Sequence, residues 1–159
     1  MSILFHTCEK KLLSEENFIW YGFFETMLIA QRLTSNARYT NNYFRFEQLE
    51  VWKESRQFVT LVYRLTSKFP LAEKFGLVDQ LRRAAVSIAL NIAEGSTKGS
   101  DADFRRFLKM AQGSINEVVT GIYIALDQKF LTSKQFDEIY EFSLKVNAKI
   151  YALIKSVSR

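Results

Sequence analysis

Six basic side chains, Arg82, Arg83, Lys98, Arg105, Arg106 and Lys109, crowd one short stretch of the sequence. Guanidinium and ammonium groups gathered in this way neutralise phosphates, which gives salt-dependent binding with no preference for base sequence. The same set also reads as a solvated helix face with acidic partners three or four residues away. A second pattern overlaps it. Arg83, Ser87, Asn91 and Glu94 are spaced by four, four and three, so they form one polar row along a helix. Such a row can line a small polar pocket, or it can satisfy itself with hydrogen bonds at a helix or subunit interface. The second reading is preferred.

Other chemistry lacks the residues it needs. A diiron helical bundle uses Glu-x-x-His pairs facing its centre, yet the single histidine is His6 and the single cysteine is Cys8, both near the start. A zinc site with Cys or His ligands fails on the same ground. No Walker motif or nucleophile elbow is present, and His6 with Cys8 is not a convincing catalytic pair. The turn Gly95–Ser100 precedes a helix start, but Asp101 and Asp103 place negative charge where a bound anion would sit. The chain is therefore read as non-enzymatic, without cofactor or metal.

The net charge of +5 is unevenly placed. Residues 1–43 balance Lys10, Lys11, Arg32 and Arg38 against Glu9, Glu15, Glu16 and Glu25, so the excess belongs to residues 44–159, with 18 basic and 13 acidic side chains. A basic surface suits nucleic acid or another polyanion. One cysteine makes no internal disulfide, so the expected compartment is the cytoplasm. The apolar run Phe18–Ala30 contains Glu25 and is shorter than the roughly 20 residues that a spanning helix needs. Neither a membrane segment nor a signal peptide is expected.

The elements that must position these side chains are helices. A single proline, Pro70, and six glycines leave long uninterrupted stretches. Leu49, Trp52, Ser55, Val59, Val62, Thr66 and Phe69 mark a first helix from about Phe46, ended by Pro70. Leu77, Leu81, Ala85, Ile88 and Ile92 mark a second over about 76–94, with Gly95 as its C-terminal cap. The third begins after Ser100, whose hydroxyl can cap it, and carries Phe104, Leu108, Ala111, Ile115, Val118, Ile122 and Ala125. The fourth begins at Thr132, where Thr132 and Gln135 have capping-box spacing, and runs along Phe136, Ile139, Ser143, Val146, Ile150, Leu153 and Val157. The short connection between the second and third helices folds one back on the other. The expected fold is all-α, an antiparallel up-down-up-down four-helix bundle over 44–159. Residues 1–43 form an irregular N-terminal extension with a short helix near 15–32.

Two features point to a second buried surface. Tyr63, Tyr123, Tyr140, Phe142 and Tyr151 fall off the apolar seams, while Gly113, Ser114 and Gly121 leave shallow places where another helix can approach.

The stretches FEQLEVWKESRQF (46–58), VYRLTSKFP (62–70), FGLVDQLRRAAVSIALNIAEGS (75–96) and DFRRFLKMAQGSINE (103–117) resemble the 23S rRNA intervening-sequence proteins, small bacterial four-helix bundles. The resemblance covers about residues 44–159. It implies the same antiparallel bundle and a homo-pentamer around a central channel. Most members have no established activity, and some are encoded inside insertions in large-subunit ribosomal RNA genes. A related bundle family, the accessory variability proteins of diversity-generating retroelements, forms a similar basic pentamer that associates with a reverse transcriptase and binds nucleic acid. Members often have glycine and arginine where this chain has Ser96, Thr97, Lys98 and Gly99, so its turn carries less positive charge. The expectation is an oligomeric protein that meets RNA or DNA through Arg82, Arg83, Lys98, Arg105, Arg106 and Lys109. The alternative is a protein-interaction scaffold, such as an accessory subunit of a reverse transcriptase, with no direct nucleic-acid role.

Overall fold

Four helices hold most of residues 44–157, the part described by the computed structural model: α1 Glu50–Thr66, α2 Leu77–Ser96, α3 Asp101–Asp127 and α4 Ser133–Val157. No strand occurs among the described residues. The short helix expected near 15–32, His6 and Cys8 lie outside them.

Local chemistry sets most of the boundaries. Ser100 caps α3, its hydroxyl oxygen accepting from the Asp103 amide at 3.1 Å, and Asp101 and Asp103 complement the positive end of the helix dipole. Thr132 and Gln135 close the expected capping box: the Thr132 amide donates to Gln135 Oε1 at 2.9 Å, and the Gln135 amide donates back to Thr132 Oγ1 at 3.3 Å. Lys129, with φ of 61°, supplies the left-handed residue that lets the Phe130 amide reach back to the Ala125 carbonyl at 2.8 Å and end α3.

Three expected boundaries are corrected. The first helix starts at Glu50 rather than near Phe46, because Arg45–Gln48 form a separate 3-10 turn whose Glu47 carboxylate accepts from the Phe44 amide. It ends at Thr66, short of Pro70, as the Lys68 and Phe69 amides tighten onto the Leu65 and Thr66 carbonyls in 3-10 fashion. Gly95 is not a cap. It lies inside α2, buried, and Thr97 ends the helix. The glycine is there for contact: a Cβ at Gly95 would stand 2.6 Å from Phe107 Cβ and 2.9 Å from a Phe104 ring carbon. Its absence lets α2 and α3 close on each other just before the turn.

Cross-helix bonds fix the directions. Arg64 near the end of α1 bonds Glu138 near the start of α4, whereas Lys149 near the end of α4 donates to Glu54 near the start of α1. Arg105 and Gln112 of α3 bond Val157 and Asn147 of α4, again in opposite order. On α2 and α3, Gly95 meets Phe104 and Phe107 while Leu81 fills the space at Gly121. Each helix is therefore antiparallel to the next around a closed square in which α1 also packs on α4.

The core is Phe58, Leu81, Ile88, Ile92, Leu108, Ile122, Ile139, Val146 and Ile150, all fully buried. Each such side chain contributes about 1.5–3 kcal/mol by leaving water. In α1 the expected Ser55, Val62 and Thr66 are buried, and the seam moves by one residue at two positions only. Val51 and Phe58 are buried, with Phe58 edge-on to Phe142 at 5.6 Å, whereas Trp52 and Val59 are only half-buried.

Candidate nucleic-acid interface

The six cations do not form one cluster. Arg82 and Arg83 sit in the first two turns of α2, about 20 Å along the helix from its C-terminal turn at 1.5 Å per residue. Both are engaged by neighbours. Arg82 donates through Nε to Thr66 Oγ1 at 2.9 Å and stacks over Tyr63 at 4.7 Å, while Arg83 pairs with Asp79 at 3.3 Å and donates to Gln80. Together with Val86, Ser87 and Leu90, these groups line an open groove on the outer side of α2.

Lys98, Arg105, Arg106 and Lys109 do share one end of the bundle, arranged around the first turns of α3. Lys98 and Arg106 lie over the Phe107 ring, at 4.8 and 5.1 Å from its centroid, and shield that buried aromatic from water. Lys98 also reaches Glu94 at 3.0 Å, an exposed i,i+4 pair of little energetic weight. Arg105 turns to the other side of α3 and donates to the Val157 carbonyl at 3.0 Å, a cation at the negative end of α4. Lys109 is exposed and makes no ion pair among the described residues.

α4 brings two residues that the sequence reading left out of the cationic set. The bond from Gln112 Nε2 to Asn147 Oδ1, at 3.1 Å, sets the α3–α4 register. One turn further toward the same end lie Lys109 on α3 and Tyr151 on α4, because the helices run in opposite directions. Tyr151 is half exposed, and Lys155 Nζ stands 4.6 Å over its ring. Tyr151 is one of the off-seam aromatics of the sequence, and Lys155 is the basic residue in the last turn of α4. Their place beside Lys109 depends on interhelical register, which no local pattern reports.

The polar row satisfies itself. Asn91 Nδ2 donates to the Ser87 carbonyl at 2.9 Å and to its hydroxyl at 3.0 Å, and Ser114 of α3 donates to the Ser87 hydroxyl at 2.9 Å. Arg83 and Glu94, at its two ends, turn to Asp79 and Lys98. The row is an α2–α3 helix contact. Of the three small residues on α3, Ser114 is used in this contact and Gly121 is filled by Leu81, leaving Gly113 open. Of the off-seam aromatics, Tyr63, Tyr123 and Tyr151 are exposed, whereas Tyr140 and Phe142 pack partly into the core.

A buried-side ion cluster was not anticipated. Glu54 Oε1 accepts from Lys149 at 2.7 Å and from Lys145 at 3.1 Å, while Oε2 is buried without a hydrogen-bond partner. Burial works to raise the Glu54 carboxyl, but the two bonded ammoniums outweigh it and hold the group below its ordinary value. No group of three or more His, Cys, Asp or Glu with metal-binding geometry occurs among the described residues. No helix among them is long and apolar enough to cross a membrane.

Residues 47–152 match the model of the 23S rRNA-intervening sequence protein family. A crystal structure of a protein of unknown function from the S23 ribosomal protein family of Bacteroides thetaiotaomicron is similar in fold, with a TM-score of 0.62 and 26% identity. That match covers 66% of this chain and 98% of the other. No curated protein sequence matches. With most of the bundle matched, the chain belongs to the 23S rRNA-intervening sequence protein family.

Proposed function

We propose that this family member is a non-enzymatic, self-associating bundle protein that binds nucleic acid through the cations around the start of α3. The observation that carries the reading is the convergence of Lys98, Arg105, Arg106 and Lys109 at one end of the bundle, with Lys155 added from α4. Their heads are suited to phosphate and are carried on a helical frame. Arg82 and Arg83 are left out of this interface, since their neighbours at the other end already engage them.

Gel-shift titration against RNA and DNA at two salt concentrations tests the proposal. Four phosphate contacts give a log–log slope near −3 on single strands, which is about a 50-fold loss of affinity between 50 and 200 mM salt. Replacing Lys98, Arg105, Arg106 and Lys109 together by glutamine is expected to abolish most of that slope. Absence of binding at low salt, or binding indifferent to the four replacements, removes the proposal.

Self-association, with the pentamer implied by the family as the expected form, is supported by large apolar side chains left in water: Tyr63 on α1, Leu90 on α2, Met110, Tyr123 and Ile124 on α3, and Leu144 on α4. Light scattering that gives a clean monomer at micromolar concentration defeats it. The same apolar surface favours a second reading, a protein-interaction scaffold such as an accessory subunit of a reverse transcriptase. A protein partner retained after nuclease treatment, with no nucleic acid bound, selects that reading.

A further inference from the structure

We infer that the basic end of the α3–α4 groove takes single-stranded nucleic acid, with Tyr151 as the platform on which a base stacks. The inference rests on the nucleic-acid reading above and adds the substrate class and a contact residue to it. A duplex keeps the faces of its bases inside the stack, whereas a single strand offers them to any exposed aromatic ring set beside phosphate ligands.

Three observations place such a ring here. Tyr151 is 52% exposed although it stands on a long, well-packed helix, so a base can reach the ring face that Lys155 leaves uncovered, or displace that flexible side chain. Its neighbours are cations on both sides of the groove. Lys155 lies over the ring from the next turn of α4, and Lys109 stands across the groove at the same level, fixed by the Gln112–Asn147 bond. Arg105 follows one turn further on and donates to Val157. The charge along the groove is also polarised. From Gln112 toward this end, Lys109, Arg105 and Lys155 meet the exposed Asp101 and Asp103 in the first turn of α3, and Asp103 is turned to its own cap residue Ser100. Toward the other end the outer positions of α4 carry Glu141 and Asp137 against Lys134. A strand is thus favoured at the Tyr151 end and repelled at the other. Lys155 and Lys109 hold phosphates, and the ring takes a base.

The test is fluorescence anisotropy with one labelled 12-nucleotide RNA, free and annealed to its complement, on the full chain and on Tyr151→Ala, Tyr151→Phe and Lys109→Gln. The single strand is expected to bind more tightly than the duplex. Tyr151→Ala should weaken it by about 5- to 150-fold and leave the duplex unchanged, whereas Tyr151→Phe keeps the ring and the affinity. Lys109→Gln should weaken both forms. Equal binding of both RNAs, with Tyr151→Ala indistinguishable from the parent chain, overturns the inference and leaves the nucleic-acid reading standing. If the unaltered chain binds neither RNA, both fall together. Circular dichroism of Tyr151→Ala separates lost binding from lost folding, and an equal loss in Tyr151→Phe also counts against stacking.

Discussion

The two ends of the α2–α3 hairpin are built from similar residues and differ in what they leave free. At the open end Arg82 and Arg83 both have partners close by, in Thr66, Tyr63, Asp79 and Gln80. At the turn end Lys98 covers an aromatic face and reaches Glu94, while Arg106 and Lys109 make no ion pair among the described residues, so positive charge stays available to a ligand. Each end also places a glycine where the helices approach. Gly95 faces a Phe107 Cβ, fixed close to its backbone, whereas Gly121 faces the far end of the Leu81 side chain. A residue type therefore says little about its role until its neighbours are known.

The glycines give the sharpest way to break this comparison. Gly95→Ala forces the α3 backbone away and is expected to cost about 1–3 kcal/mol, lowering the thermal midpoint by several degrees. At Gly121 the Leu81 methyl can give way, and the gain in helix propensity of roughly 1 kcal/mol offsets much of the strain. Gly121→Ala should stay within about 1 kcal/mol of the parent chain. Equal losses at the two positions would show that the ends are equally tight.

A middle-sized effect belongs to Glu54, which ties the start of α1 to α4 at the basic end. Glu54→Gln is expected to cost roughly 1–2 kcal/mol near neutral pH, measured by urea unfolding. Because the carboxyl titrates below its ordinary value of 4.5 in the folded chain, the folded state binds fewer protons than the unfolded state as pH falls past that value. The stabilisation is complete above 4.5 and disappears as pH drops through the lower folded value. The gap between parent and variant should close over that window; a gap independent of pH sinks the assignment.

The smallest effect is expected at the open end. The Arg83–Asp79 pair is exposed, so Arg83→Gln should change stability by less than about 0.5 kcal/mol and leave RNA affinity and salt slope as they were. A loss of RNA binding equal to that of Lys109→Gln would return Arg83 to the interface and dissolve the distinction between the ends.

Much of the fold was legible because its instructions are local. The Ser100 cap and the Thr132–Gln135 box span three residues each, and the stripes on α2 and α3 repeat every three or four. α1 was harder for a specific reason. It offers two adjacent apolar tracks, Val51 with Phe58 and Trp52 with Val59, each at the same spacing of seven. Periodicity alone cannot choose between them, and the bundle buries the first. Gly95 misled in a similar way, since a glycine near a helix end ordinarily caps it, while here the Phe107 side chain required its bareness. The cationic set was legible as a list of residues but not as a place.

Sequence by itself determined the four helices, the N-terminal caps of α3 and α4, the amphipathic faces of α2, α3 and α4, and the lack of histidine and cysteine among residues 44–159. Each of these follows from contacts within about one helical turn or from residue types alone. Tertiary structure alone decided that Arg82 and Arg83 part company with the other four cations, and that Tyr151 and Lys155 join Lys109 across a groove. Register between helices 40 residues apart in the chain is set by the packing of the whole core, and no short-range pattern in the sequence carries it.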